Sequence, residues 1–201
     1  MFQLSKEQFF DGWASTYDRL FPSVFYQALH QRLLEYVDLP ESASVLDLGC
    51  GTGKLLDRLA SHYPQLQGTG LDFSEKMLAI ARSGIRYPAR ITYVQGRVES
   101  LPFDVGQFDA VFSTISFLHY PQPQAVLSEI SRVLRPGGRF YLVDSVPSRC
   151  MGSTLSLPIS EGGITLYGRE ARSTLGEAAG LTTIAHHYLI APVVLTVFVK
   201  S

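Results

Sequence analysis

The sequence is poor in cysteine and in long apolar runs. Only two cysteines occur among 201 residues, Cys50 and Cys150, so the chain has neither a disulfide framework nor a CxxC metal site. The longest apolar stretch, Ala191 to Val199, is about half of the roughly 20 residues that a membrane helix needs. Lys6 and Glu7 stand where an export signal would have its apolar core. We therefore expect no metal centre, no membrane span and a reducing, cytoplasmic setting.

The sequence also lacks an excess of either positive or negative charge. Seventeen Lys and Arg residues against eighteen Asp and Glu residues give a net charge of −1, and no run of five like charges occurs. This balance disfavours nucleic acid as an obligatory partner. Arg82, Arg86 and Arg90 cluster in the sequence; they are typical of a solvated helix end and loop, and a local RNA-binding patch is the alternative.

The length and the 46% hydrophobic content fit one domain over residues 1–201. From Val45 onward, apolar β-branched segments alternate with helical stretches, which predicts the α/β class with a parallel sheet. The predicted strands are Val45–Leu48, Leu66–Leu71, Ile91–Val94, Ala110–Ser113 and Arg139–Val143. The predicted helices are Lys54–His62, Ser74–Ser83 with Ser74 as N-cap, Gln124–Leu134 and Arg169–Ala179.

The two flanking regions have a different composition. Residues 1–40 are rich in aromatic side chains and predict one or two amphipathic helices that cover one end of the sheet. Residues 145–168 are rich in Ser, Gly and Pro, and we expect this long connection to be functional or mobile. Leu181–Ile190 and Val193–Val199 predict two further strands.

The stretch from Val45 to Leu55 predicts a buried strand, a glycine turn and the start of a helix. Gly49, Gly51 and Gly53 let the backbone turn sharply and approach a ligand closely. In α/β proteins such a turn is where nucleotide-like ligands bind. Its own residues leave open which nucleotide is bound.

A carboxylate, Asp72, follows the second predicted strand, about twenty residues beyond the turn, where ribose hydroxyls of a bound nucleotide would lie. A carboxylate accepts strong hydrogen bonds from two vicinal hydroxyls. Asp72 is also suited to a turn or a helix cap, and the two roles are compatible.

Four segments together resemble the class I S-adenosylmethionine (SAM)-dependent methyltransferases. They are the D-x-G-x-G-x-G pattern from Asp47 to Gly53, Gly96–Phe103, Phe108–Val111 and Leu134–Gly138. The similarity is strongest to the small-molecule group that includes the ubiquinone/menaquinone-type enzymes, and it covers roughly residues 7–143. Dinucleotide-dependent dehydrogenases share the layout, but their glycines are spaced G-x-G-x-x-G.

The resemblance implies a Rossmann-like sheet of seven strands, mostly parallel, with helices on both faces and a C-terminal antiparallel hairpin. It also implies SAM as cofactor, with the methionine part over Gly49, Cys50 and Gly51 and the ribose at Asp72. Asp47 would orient the turn and accept hydrogen bonds from the amino-acid end of SAM, or it would support the turn alone. Cys50 occupies a variable position, so packing is expected rather than nucleophilic chemistry.

Further cofactor contacts are implied at Gly53, at Phe73 and Met77 beside the adenine, at Val98 through its N–H, and at Ser113, Thr114 and Tyr17. Tyr17 lies in a segment similar to the F-D-x-W-A-x-x-Y-D entry of these enzymes, where its ring would close over SAM or pack in a lid. One departure concerns Arg97. The family commonly has Asp there to accept from the adenine amino group, and arginine only donates.

Two side chains are candidate general bases, His119 after the fourth strand and Asp144 at the end of the fifth. For His119 the alternative is a helix-end or packing role, and for Asp144 it is capping or turn hydrogen bonding.

The predicted function is methyl transfer from SAM to a small, partly apolar acceptor, enclosed by the N-terminal helices and residues 145–168. The oligomeric state is left open. A SAM-binding module without methyl transfer, motivated by Arg97, is the alternative from another class, and an NAD-linked oxidoreductase is a third.

Overall fold

The computed structural model describes residues 22–148, 153–158 and 163–201. The helices are α1 (Pro22–Leu34), α2 (Lys54–His62), α3 (Glu75–Ser83), α4 (Pro123–Val133) and α5 (Arg169–Glu177). The strands are β1 (Ser44–Leu48), β2 (Gln67–Asp72), β3 (Ile91–Gln95), β4 (Phe108–Thr114), β5 (Leu134–Ser145), β6 (Thr154–Leu157), β7 (Ile164–Tyr167), β8 (Leu181–Ile190) and β9 (Val193–Lys200). A short 3₁₀ turn covers Phe117–His119.

Seven strands form one sheet in the order β3-β2-β1-β4-β5-β9-β8. The first five are parallel, whereas β9 runs antiparallel to both β5 and β8. This confirms the predicted α/β sheet with its C-terminal antiparallel hairpin. Strand β1 has β2 on one side and β4 on the other, so its carboxyl end lies where the strand order reverses, the place where open α/β sheets bind ligands.

The core consists of two apolar clusters, one on each face of the sheet. Alternate residues of β1 enter different clusters: Val45 packs with Leu29 and Leu59, and Leu46 packs with Ile130. This alternation follows from the two-residue period of a strand. Helices α1 and α2 thereby cover one face, while α4 covers the other.

Helix α1 is part of the core. Its side chains Leu29 and Leu33 are fully buried in the same cluster as Leu55 and Leu59 of α2. The described part of the predicted lid over residues 1–40 is therefore anchored to the sheet. Tyr17 and the other aromatic residues before Pro22 lie outside the described residues.

Residues 145–168 contain a hairpin that the sequence did not predict. Strands β6 and β7 pair antiparallel as a separate two-stranded sheet. The period-two pattern of Thr154-Leu155-Ser156-Leu157 is short and stands among Ser, Gly and Pro, which predicted a loop. The ring of Tyr167 in β7 lies 5.7 Å from that of Phe117, so the hairpin contacts the turn that follows β4.

Most element boundaries agree with the prediction. Helix α2 has the predicted limits, and Ser74 caps α3 by accepting the N–H of Met77 at 3.3 Å. Strand β5 begins at Leu134 rather than Arg139, because a register shift opposite Phe108 accommodates the turn residues 136–138 within the strand. Across the part of the chain that the structure describes, no helix has the length and apolar character that a membrane span requires.

Candidate functional site

The glycine turn leaves the carboxyl end of β1 in a left-handed backbone conformation. Gly49, Gly51 and Gly53 have φ angles of 67°, 52° and 76°, which residues with a Cβ adopt at a cost. The N–H groups of Gly49 and Cys50 both donate to the carbonyl oxygen of Leu71, at 2.8 and 3.1 Å. The turn is thus held against β2 by backbone contacts.

Neighbouring side chains occupy the space where glycine lacks a Cβ. A Cβ on Gly53 would overlap the hydroxyl oxygen of Tyr93, and one on Gly49 would lie 2.8 Å from Cβ of Ser116. Glycine is therefore required by packing as well as by backbone conformation. Tyr93 and Ser116 were not predicted to contact the turn, since nothing in the sequence around either residue indicates such a contact.

A hydroxyl network supports the turn from β4. The Ser116 hydroxyl donates to the carbonyl of Leu48 at 3.0 Å, accepts from Tyr120 at 3.1 Å and pairs with the Ser113 hydroxyl at 2.8 Å. Ile115 lies between the two serines with a φ of 50°. A β-branched residue in this region is strained, and such strain is typical of functional sites. Ser113 is fully buried; its predicted cofactor contact stays a prediction.

Asp72 joins the turn to the start of α3. One carboxylate oxygen accepts the N–H of Gly51 and the other accepts the N–H of Ser74, both at 2.9 Å. The side chain is 6% exposed, and burial raises its pKa against the lowering effect of these hydrogen bonds. The turn-supporting role is visible in these contacts. Since each oxygen keeps a further acceptor site, the predicted ribose contact stays compatible with them.

Asp47 is a buried carboxyl group on β1. It is 3% exposed, and burial, with a smaller contribution from the charge of Asp72, raises its pKa to about 8. At neutral pH the group is therefore mostly protonated, and a bound cation would favour its charged form. Burial also raises the pKa of the Cys50 thiol, which fits the packing role expected for that residue.

A cavity of about 250 Å³ opens at the carboxyl ends of β1 and β4. Five residues predicted to contact the cofactor line it: Asp47, Gly49, Cys50, Gly51 and Thr114. The structure therefore brings together the glycine turn, the buried carboxyl group and the end of β4 around one space.

Beside Thr52 of the turn, helices α1 and α2 form the remaining walls of this cavity. The sequence placed the N-terminal helices around the acceptor and predicted no cofactor contact from either α1 or α2. The two helices contribute Tyr26, Gln27, His30, Lys54, Leu55 and Arg58. His30 is 6% exposed, and burial, together with the charge of Arg58, lowers its pKa to about 3. Within the described residues, the buried atoms Nδ1 of His30 and Oγ1 of Thr114 have no hydrogen-bond partner.

The residues predicted to surround adenine lie outside this cavity. Phe73 and Met77 follow β2, with Met77 buried. The Arg97 side chain is 77% exposed, and its Nε lies 3.6 Å from a carboxylate oxygen of Glu99. Arg97 thus points toward solvent, while Val98 is buried. The adenine contacts at Phe73, Met77 and Val98 stay predictions, as does the cofactor contact at Gly53.

The two candidate bases also lie outside the cavity. His119 ends the 3₁₀ turn and is half-buried. Asp144 is 2% exposed, and its two oxygens accept the N–H groups of Leu118 at 2.8 Å and Ser145 at 2.9 Å. Burial raises the pKa of Asp144 to about 6, against the effect of Arg172. These contacts favour the turn-supporting role for Asp144, and its role as a base stays a prediction.

Residues 22–148, 153–158 and 163–201 contain no group of three or more His, Cys, Asp or Glu side chains that could hold a metal ion.

Comparison with known proteins extends the resemblance. Residues 45–138 match a methyltransferase domain family. The chain is 38% identical over 137 residues to a demethylmenaquinone methyltransferase of Lactococcus lactis, with 67% of this chain and 52% of that protein covered. It is 34% identical over 140 residues to a 2-phytyl-1,4-naphtoquinone methyltransferase of Thermosynechococcus vestitus, with 67% and 62% covered. The chain thus spans about half the length of the first of these relatives and less than two thirds of the second.

The fold comparison covers nearly the whole chain. A SAM-dependent methyltransferase structure from Aquifex aeolicus superposes with a TM-score of 0.76 at 19% identity, covering 95% of this chain and 98% of that one. At this identity the superposition shows the fold, whereas the domain match shows a methyltransferase domain over residues 45–138. The chain thus carries a methyltransferase domain and has the fold of a SAM-dependent methyltransferase.

Proposed function

We propose that this chain binds SAM in the cavity at the end of β1 and transfers its methyl group to a small, partly apolar acceptor. The observation that carries the proposal is the convergence of the glycine turn, Asp47 and Thr114 on one cavity at the point where the strand order reverses. The proposal treats residues 1–201 as one methyltransferase domain and, given the low cysteine content, keeps the expected cytoplasmic setting.

The residues around the cavity fit the chemistry of SAM. The amino-acid end of SAM carries an ammonium and a carboxylate, and the cavity is lined by a carboxyl group, Asp47, and by a guanidinium, Arg58. Asp72, attached to the turn through Gly51, would receive the ribose hydroxyls.

Bound SAM supplies an activated methyl group on a sulfonium leaving group, so the chemistry asks little of the protein. The protein must align the acceptor atom with the methyl carbon and the sulfur. Effective molarities for well-oriented reactants are worth roughly 7–11 kcal/mol, so positioning by the turn and by the end of β4 can supply most of the catalysis. An O–H or C–H acceptor also needs a base, for which His119 and Asp144 are the proposed residues.

The acceptor site is proposed beside the 3₁₀ turn. Phe117 contacts Tyr120 and Tyr167 edge-to-face, with ring centroids 5.6 and 5.7 Å apart, and the β6–β7 hairpin adds half-buried Leu155 and Leu157. These surroundings suit an aromatic, partly apolar molecule. Two relatives are named for naphthoquinone and demethylmenaquinone substrates, and we propose an acceptor of this quinol class.

Calorimetry with SAM and S-adenosylhomocysteine tests cofactor binding. The reaction is tested by transfer of a tritiated methyl group to short-chain demethylated quinols and to a mixed metabolite extract. We expect micromolar binding of both cofactors and labelled product from the quinol set. Absence of binding would refute the proposal. Binding without transfer to any acceptor would favour the module without methyl transfer, and thermal stabilisation by NAD instead of SAM would favour an oxidoreductase.

A further inference from the structure

The cavity has a polar wall that the proposed contacts of the turn do not use. This wall is formed by His30 of α1 and Arg58 of α2, which line the same cavity as the glycine turn. Arg58 is half-buried, and its guanidinium has no ion pair or hydrogen bond with any residue in the described ranges. A guanidinium so placed is suited to a planar anion, because its N–H groups match the two oxygens of a carboxylate.

His30 makes this wall polar without adding a second charge. Its ring is buried and tilted against Tyr26, with centroids 6.3 Å apart. Because its pKa is lowered to about 3, the imidazole is neutral at physiological pH, where it can donate one hydrogen bond and accept another. Its Nδ1 is buried without a partner among the described residues. A buried polar atom without a partner is costly, which points to a ligand group at this wall.

The cavity is lined by an acidic group and by cationic groups, which suit the two ends of a free amino acid. Asp47 lines it at the glycine turn and Arg58 lines it from α2. Asp47 is mostly protonated in the ligand-free protein, so an approaching ammonium would be met by a carboxyl group that can ionise. The carboxylate of the same ligand then needs a cation elsewhere in the cavity. Of the two cationic side chains that line it within the described residues, Lys54 is exposed, whereas Arg58 is half-buried.

We infer that Arg58 binds the α-carboxylate of SAM, beside the ring of His30, and that this contact selects cofactors with an intact amino-acid end. The inference rests on the proposed function and deepens it. Arg58 lies in the second turn of α2, beyond the glycine motif, where the sequence alone gives no reason to place a cofactor contact.

Decarboxylated SAM is a probe of this contact, since it keeps the sulfonium, the amine and the adenosine but lacks the carboxylate. Calorimetry on the wild-type chain should show that SAM binds roughly 10- to 100-fold more tightly than decarboxylated SAM, the range expected for hydrogen bonds to a charged group. In the Arg58→Gln variant this preference should fall to about threefold or less, and the loss should come from weaker binding of SAM.

Arg82→Gln is the matched control. Arg82 is an exposed arginine whose charge also acts on Cys50 in the turn, but it pairs with Glu75 and does not line the cavity. This variant should keep the wild-type preference for SAM, which separates a direct contact from a general loss of positive charge near the turn.

The outcomes separate the inference from the proposed function. Equal affinity of the wild-type chain for SAM and decarboxylated SAM would overturn the inference alone, and it would do so even if Arg58→Gln failed to fold. An unchanged preference in folded Arg58→Gln would also overturn it. Failure of the wild-type chain to bind SAM or S-adenosylhomocysteine would overturn the proposed function, and the inference with it.

Discussion

The carboxylate of Asp72 accepts the backbone N–H of Gly51 at 2.9 Å, which ties the glycine turn to the end of β2 across 21 positions of the chain. Its other oxygen holds the N–H of Ser74 at the start of α3. One buried side chain therefore holds both the turn and the start of the next helix, and it keeps further acceptor sites for the proposed ribose contact. Changes at Asp72 should affect cofactor binding and folding together.

For Asp72→Ala we expect the dissociation constant of SAM to rise about 10- to 100-fold, because the ribose loses a charged acceptor. The free energy of unfolding should also fall by about 1–3 kcal/mol, because two backbone N–H groups lose their partner. Calorimetry and urea unfolding measure the two effects. Unchanged SAM affinity in the folded variant would refute the ribose assignment.

The control for Asp72→Ala is Ser74→Ala. This change removes the hydroxyl that caps α3 through the N–H of Met77 and should lower the free energy of unfolding by about 1 kcal/mol. It leaves the carboxylate in place, so SAM affinity should stay at the wild-type value. A parallel loss of affinity in both variants would mean that the helix cap, and not the ribose contact, explains the effect of Asp72→Ala.

The fold was largely predictable because its signals are local. The glycine spacing, the Ser74 cap and the helical period of Lys54–His62 are each written within a few consecutive residues, and each corresponds to the structure. The glycine turn and Asp72 are distant in sequence and were placed together by the layout of nucleotide-binding α/β proteins, in which an acidic residue follows the second strand. The β6–β7 hairpin was missed because its four-residue strands carry too short an alternation to outweigh the surrounding Ser, Gly and Pro.

The rest of the site could not be predicted from sequence patterns. Arg58 and His30 reach the cavity because α1 and α2 pack on the same face of the sheet, and nothing in either helix distinguishes these positions from solvated ones. The contact of Tyr93 with Gly53 depends on how closely β3 and β2 approach the turn. Such contacts between distant positions become visible only when the register of the sheet is known.

Gly53→Ala tests the packing of Tyr93 on the turn. Both glycines have left-handed backbone angles, with φ of 76° at Gly53 and 52° at Gly51. A Cβ at residue 53 would also clash with the Tyr93 ring, whereas a Cβ at residue 51 would have no atom within 4 Å. Gly51→Ala should therefore lower the free energy of unfolding by about 1–2 kcal/mol, the cost of a left-handed backbone conformation alone. Gly53→Ala should lower the free energy of unfolding by at least about 1 kcal/mol more than Gly51→Ala does, which is the lower end of the range for overpacking. Urea unfolding measures both, and equal losses would contradict the tight contact with Tyr93.

Asp47→Asn tests the buried carboxyl group through pH. The folded chain holds the Asp47 proton up to about pH 8, whereas the unfolded chain releases it near its ordinary pKa. Stability contributed by this proton is therefore lost as pH rises from about 4 to 8. The melting temperature of Asp47→Asn relative to wild type should rise across this window, by about 2–4 °C for each kcal/mol. A difference that stays constant with pH would contradict the raised pKa of Asp47.

The same group should make SAM binding release protons. At pH 7 the ligand-free carboxyl group is mostly protonated, and a bound ammonium favours its ionised form. Calorimetry of the wild-type chain in buffers of different ionisation enthalpy should show net proton release, largest below pH 8. In Asp47→Asn this release should disappear and SAM should bind more weakly. Proton release of the same size in both chains would place its origin at another group.

Arg172→Met tests a buried guanidinium that fastens the C-terminal part of the sheet. Arg172 is 2% exposed and donates to the carbonyl oxygens of Tyr167, Val194, Asp144 and Ser145 at 2.8 to 3.1 Å. Burial lowers its pKa only to about 10, so it stays charged at neutral pH.

Methionine fills a similar volume without a donor, so these carbonyls lose their partner. The charge that faces buried Asp144 is lost as well. We expect the free energy of unfolding to fall by about 3–5 kcal/mol, as when one partner of a buried ionic contact is removed. Arg169→Met, at an exposed arginine on the same helix, should change it by less than about 0.5 kcal/mol. Comparable urea midpoints for the two variants would show that the Arg172 contacts do not hold β5, β7 and β9 together.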